Sequence, residues 1–214
     1  MLMNKFYAFF RFLLGWVFRL SYRLKVVNKQ NQPKKGDGPF IVCANHVSAM
    51  DPIMIAVALK HVQTHYLAKE SLFKNKLAGW FFRNLGMIPV TRSGNDVGAL
   101  KTTIKNLQNG ISIGIFPQGT RHPGKNPRDT KLRGGVGMIQ AHSGASILPI
   151  YIESKDNRVK LFRRVTVILG KPISPEEIGK EGKGKEEYDR VSNLVFDRIC
   201  TLGEEYKKSL AEKK

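Results

Sequence analysis

The sequence is short of cysteine, of acidic residues and of long apolar runs, and each shortage excludes something. Its two cysteines, Cys43 and Cys200, offer neither a disulfide framework nor zinc-ligand spacing. They read as reduced, buried small hydrophobes of a protein that faces the cytosol. Acidic residues number 17 against 36 lysines and arginines, which gives a formal charge of +19 and a pI near 10.1. Such a surplus favours an anionic partner: nucleic acid, acidic lipid, a phosphorylated substrate or an acidic carrier protein. In the apolar N-terminal stretch MLMNKFYAFFRFLLGWVFRLSYRLKVV the longest uncharged run, Phe12 to Phe18, is seven residues, far below the roughly 20 that span a bilayer. No small-residue cleavage site follows it, so a signal peptide is not expected.

What that stretch does contain is an amphipathic pattern. At about 100° per residue, Lys5, Arg11, Arg19 and Arg23 fall within roughly one third of a helical circumference. The first 36 residues carry eight cations and no acid, a composition drawn to an anionic leaflet at about 1 kcal/mol per cation near the surface. Residues 1–27 therefore read as a membrane-interface helical segment, lying in the plane of an anionic membrane surface with its aromatics inserted. The other reading is a helix that simply packs on the domain core. Because the aromatics concentrate here and are not interleaved with cations on a sheet or groove, a nucleic-acid partner is not expected.

Residues 28–214 read as one α/β domain. Short apolar, β-branched runs at 39–44, 64–68, 86–91, 112–116, 146–152 and 164–170 are the expected strands. Amphipathic stretches at about 52–60, 72–84, 96–109 and 134–143 separate most of them, with a short helix at SPEEI and a final helix over 187–211. Strands alternating with helices imply a largely parallel mixed sheet flanked by helices. In such sheets ligands bind beyond the carboxyl ends of the strands. Immediately after the first four expected strands come Asn45 and His46, then Lys69, then Arg92, then the run PQGTR with Gln118, Gly119, Thr120 and Arg121. The rim is markedly cationic.

His46 and Asp51 lie in CANHVSAMDP, five positions apart, so a turn and not a helix face must join them. Asp51 before Pro52 also reads as an N-cap, and the two roles are compatible because a carboxylate has two oxygens. An imidazole takes up protons near neutrality, and a carboxylate on its other nitrogen fixes the tautomer, which resembles two thirds of a catalytic triad. Neither nearby nucleophile fits: Ser48 has no elbow-type glycine context and Cys43 points into a strand. The substrate must then supply the hydroxyl. Arg92, Arg121 and Lys69 need an anion, and a phosphate on that substrate suits guanidinium forks.

These segments resemble a known family. NHVSAMD resembles the N-H-x-x-x-x-D motif of the glycerolipid acyltransferases; GMIPVTR, FPQGTR and ILPIYI are similar to their second, third and fourth blocks, in order and at matching spacing. The similarity covers roughly residues 25–175 and points to the members that acylate 1-acylglycerol 3-phosphate. It implies transfer of a fatty acyl group from an acyl-CoA or acyl carrier protein thioester to the sn-2 hydroxyl of lysophosphatidic acid, giving phosphatidic acid. His46 would be the general base and Asp51 its orienter. Arg92, Gly119, Thr120 and Arg121 would bind the phosphate, with Asn45, Lys69 and Gln118 completing the substrate-binding set. No metal and no prosthetic group is implied, and the expected location is the cytoplasmic face of the cell membrane, monotopic or peripheral. One position departs: Gln118 stands where the family has glutamate. Another lysophospholipid or glycerol 3-phosphate as acceptor, or a chain impaired by Gln118, are the alternatives.

Overall fold

A computed structural model describes residues 4–90, 97–133, 135–179 and 181–212. The chain begins with helix α1 (Lys5–Ser21) and strand β1 (Lys25–Val27), followed by β2 (Phe40–Ala44), α2 (Asp51–Ala58) and β3 (Tyr66–Lys69). Then come α3 (Lys76–Asn84), β4 (Met87–Val90), α4 (Val97–Gln108) and β5 (Ile113–Ile115). The remainder is α5 (Gly135–Ser143), β6 (Ser146–Ser154), β7 (Val165–Leu169), α6 (Pro175–Ile178) and α7 (Gly184–Ala211). Five strands form one sheet in the order β1-β7-β6-β2-β5, and β3 pairs with β4. A parallel bridge from His65 to Ile113, with His65 N donating to Ser112 O and Gly114 N to His65 O, joins the two sheets edge to edge. Among the described residues these strands pair in parallel except β6 with β7.

The sheet is a sandwich filling because its middle strands are apolar on both faces. All five residues of β2 are buried. Phe40, Val42 and Ala44 turn toward α1 and α2, whereas Ile41 and Cys43 turn toward α4, α5 and α7, as period-two alternation requires. Helix α7 meets the second face with Val191, Val195 and Ile199, one turn apart and all buried. Pro149 is tolerated in central β6 because it lies just beyond the β7 ladder, which begins at Ile150. Its carbonyl accepts from Gly170 N at 2.8 Å, so the missing N–H points to that same outer side and interrupts no rung with β2.

The expected strands and helices are all present, with ends shifted by up to about four residues. The structure adds β1 within the segment assigned to the N-terminal helix: Lys25–Val27 pair with Thr166–Ile168, so residues 1–27 end as an edge strand of the domain. Three residues with one polar member carry too little periodicity to be read as a strand. Helix α1 has one side in the core and one side outside it. Tyr7, Gly15 and Phe18 are buried, while Phe9, Phe12, Leu13, Trp16 and Leu20 on the opposite side remain exposed. Arg11 departs from the expected outward stripe of cations, being partly buried beside Tyr7, Leu14 and Tyr66. Among the described residues no helix is long and apolar enough to cross a membrane.

Ile150 has no exposure and lies between the β2 and β7 ladders. Ile150→Ala is expected to cost about 3 kcal/mol of folding stability, the usual range for a cavity in a packed core, and urea denaturation at constant m value measures it.

Candidate active site

Strands β2, β5, β3 and β4 run parallel, so their carboxyl ends share one edge. The turn after β2 carries His46, and α2 starts with Asp51 at its first position. Asp51 does not cap the helix. Pro52 has no N–H to offer, and Ile53 N and Met54 N already donate to Met50 O, so Met50 is the N-cap residue and no side chain caps there. The carboxylate turns back into the preceding turn instead. Its Oδ2 accepts from Val47 N and Ser48 N, each at 2.8 Å, and from His46 Nδ1 at 2.7 Å. Asp51 is wholly buried and the His46 side chain is 16% exposed.

The imidazole is held on every side. Its ring stacks on Phe116 at 3.9 Å and 13°, and Tyr66 stacks beyond Phe116 at 5.9 Å. His46 N donates to Gln118 Oε1 at 2.6 Å, and His46 O accepts from His122 N at 2.9 Å. Gln118 Nε2 in turn donates to Thr130 Oγ1 at 2.7 Å, whose hydroxyl donates to Pro127 O. The other Asp51 oxygen is buried, as are the hydroxyls of Tyr66 and Tyr7. Burial, with the Tyr7 hydroxyl and Asp51 nearby, pushes the Tyr66 phenol well up; burial pushes Tyr7 up to about 12. Both therefore remain neutral O–H groups; Tyr66 lies near the carboxylate, and Tyr7, from α1, lies near Tyr66.

Of the expected substrate-binding residues, two are buried and hydrogen-bonded within the fold. Asn45 has no exposure; its amide donates to Ile152 O and accepts from Ile152 N at 2.7 Å, clamping the end of β2 to β6. Gln118 is 3% exposed and positions His46 through the backbone. Gly119, Thr120 and Arg121 are exposed beside the dyad, and Lys69 is exposed at the end of β3. Gly119 has φ +69°, and a Cβ there would collide with the Arg133 side chain, so the turn needs glycine. Thr120 Oγ1 lies 3.2 Å from His122 Nε2. Arg92 lies outside the described residues.

Sequence reasoning missed Phe116, although it opens the FPQGTR block, because an aromatic at a strand end reads as core. It missed Thr130 altogether, since nothing local marks a residue 12 positions away as the partner of Gln118. Cys43 is unexposed and burial pushes its thiol up, while Ser48 Oγ accepts from Met50 N; neither is poised as a nucleophile. Among the described residues no three His, Cys, Asp or Glu side chains come together as they would to hold a metal ion.

The acyltransferase family model matches residues 23–153, a span that holds the dyad, the Phe116–Arg121 turn and most of the sheet. The chain belongs to the acyltransferase family. This acyltransferase is 32% identical over 198 residues to the 1-acyl-sn-glycerol-3-phosphate acyltransferase of Bacillus subtilis, covering 92% of this chain and 96% of that one. It is 29% identical over 181 residues to the enzyme of the same name from Streptococcus pneumoniae, covering 83% and 66%. The crystal structure of the 1-acyl-sn-glycerophosphate (LPA) acyltransferase from Thermotoga maritima superposes with a TM-score of 0.66 at 27% identity, over 93% of this chain and 79% of that one.

Two substitutions separate positioning from substrate contact. Asn45→Ala strands the buried Ile152 N–H and C=O and is expected to cost roughly 3 kcal/mol in chemical denaturation; unchanged stability with a raised acceptor KM would instead make Asn45 a ligand. A glutamate at 118 still accepts from His46 N but competes with Pro127 O for the Thr130 hydroxyl. Gln118→Glu should keep turnover within about threefold, whereas Gln118→Leu, which orphans the His46 N–H, should lower it about tenfold or more.

Proposed function

We propose that this acyltransferase moves a fatty acyl chain from a CoA or acyl carrier protein thioester to the sn-2 hydroxyl of lysophosphatidic acid, at an anionic membrane surface on the cytoplasmic side. The observation that carries this reading is the buried carboxylate of Asp51, bonded to His46 Nδ1 at 2.7 Å, beneath a rim bearing Lys69, Thr120 and Arg121. The names of the relatives support the choice of acceptor, and the exposed apolar face of α1 supports the choice of a membrane.

In the proposed step, His46 Nε2 removes the proton of the acceptor hydroxyl as its oxygen attacks the thioester carbonyl. Asp51 stabilises the imidazolium so formed and keeps the ring in the tautomer whose Nε2 is free to accept. Collapse of the tetrahedral intermediate breaks the carbon–sulfur bond, and the imidazolium returns its proton to the departing thiolate. No acyl-enzyme intermediate is needed, in keeping with the buried thiol of Cys43 and the absence of any His46 contact to Ser48 among the hydrogen bonds of the turn. Arg121 and Thr120, with Arg92, take the acceptor phosphate through charge-assisted bonds. The neutral amide of Gln118 performs its positioning task by accepting from one backbone N–H, a task that does not require a charge.

Thiol release from an acyl thioester on anionic vesicles tests the proposal. Release should depend on added lysophosphatidic acid and fall about a thousandfold in His46→Ala, the upper range for loss of a general base; acceptor-independent release, or turnover undiminished in the variant, removes His46 from that role. Arg121→Ala should raise the lysolipid KM about tenfold and leave the thioester KM in place; the reverse pattern assigns Arg121 to the donor.

A further inference from the structure

A second exposed apolar element lies far from α1 in sequence. The connection between β6 and β7, residues 155–164, reads KDNRVKLFRR. Its base is tethered by Val159, which packs against the core. At its tip Leu161 is 59% exposed and Phe162 75%. Phe162 also has φ +60°, a left-handed conformation that Asn and Asp enter readily and an aromatic residue enters only at a cost. The fold thus holds a large apolar side chain out in solvent against its backbone preference.

The tip is fixed next to α1. Phe162 N donates to Ser21 O, the last residue of that helix, at 2.6 Å, and Val165 N donates to Tyr22 O at 3.0 Å. Leu161 and Phe162 therefore lie at the end of α1, on which Phe12, Trp16 and Leu20 are 77%, 64% and 58% exposed. Five exposed cations surround them, Lys155, Arg158, Lys160, Arg163 and Arg164. The one acid in the segment, Asp156, lies 4.0 Å from Arg163. Apolar side chains ringed by cations match the two layers of an anionic bilayer surface, hydrocarbon below and phosphates above. An acidic protein would match the cations but leave an exposed Leu–Phe pair without purpose.

The same connection touches the reactive rim. Gly124 N donates to Asn157 O at 2.8 Å, and the Arg158 guanidinium lies so close over Gly124 that a Cβ there would come within 2.7 Å of it. Gly124 is two residues beyond His122, whose N–H donates to His46 O. We infer that Leu161–Phe162 and the cations around them form a second membrane contact, inserted into an anionic lipid surface beside α1, which seats the loop of residues 117–125 on the bilayer from which the lysolipid comes. This deepens the membrane reading of the proposed function and rests on it.

Flotation with phosphatidylglycerol–phosphatidylcholine vesicles tests the contact on the full chain with two paired variants. Truncating α1 is unsuitable because Tyr7 and Phe18 belong to the core; Phe12→Ser with Trp16→Ser alters only its outer face. Leu161→Ser with Phe162→Ser should lower partition on anionic vesicles about tenfold without changing the thermal melt. An environment-sensitive fluorophore on a Phe162→Cys variant, the native cysteines being buried, should brighten and shift to the blue on those vesicles. A loss confined to the α1 pair, with no fluorophore response, overturns the second contact and leaves the membrane reading standing. Undiminished partition of the Leu161→Ser, Phe162→Ser pair overturns the second contact, whereas failure of the unaltered chain to float with anionic vesicles removes the membrane reading and this inference with it. A fluorophore response to an acidic carrier protein and not to vesicles makes the tip a carrier-docking site and overturns the inference equally.

Discussion

A single buried carboxylate oxygen organises this protein's working edge. Asp51 Oδ2 receives two backbone N–H groups and the imidazole N–H. A buried carboxylate must be compensated in this way, because charge taken from water without partners is costly. The three donors come from consecutive residues, His46, Val47 and Ser48, so satisfying the carboxylate also fixes the shape of the turn. The geometry of the His46–Asp51 pair and the local fold are one arrangement. Helix α2 supports it by presenting its amino terminus, where a negative charge is favoured.

Around that oxygen the remaining parts are supports at increasing distance. Phe116 sets the plane of the imidazole by stacking, Gln118 and His122 fix its backbone from either side, and Thr130 fixes Gln118. All but His46 itself belong to the segment 116–130, which leaves the sheet after β5 and wraps over the end of β2. Along the same segment Gly124 meets the β6–β7 connection. From there the chain of contacts reaches the end of α1. The outer surface and the imidazole are thus connected through a few backbone hydrogen bonds, and α1 places the buried Tyr7 hydroxyl near Tyr66, which in turn lies near Asp51.

Much of this was legible beforehand, and the parts that were not share a cause. The β2, β5 and β6 runs announce themselves by β-branched apolar composition, and the pairing of His46 with Asp51 follows from a spacing that only a turn can close. Asp51 read as an N-cap because Asp-Pro ordinarily marks one; the competing demand of a partly buried imidazole and two free amides prevailed. Asn45 and Gln118 read as ligands because polar residues inside a reactive motif usually face the substrate. Each is buried, and each holds backbone far away in sequence, Ile152 in β6 for one and His46 in the turn after β2 for the other.

The sequence by itself determined the periodicities: which runs are strands, which helices are amphipathic, and that cations crowd the strand ends. Those are local properties, written in side-chain type and spacing. Only the tertiary structure decided which motif residues touch one another and which face outward. It split α1 into a core face and an exposed face, and it brought Leu161 and Phe162 against the end of a helix some 140 positions earlier. No local pattern carries that information, because the neighbour that decides whether a polar side chain is ligand or strut is supplied by the crossing of the chain.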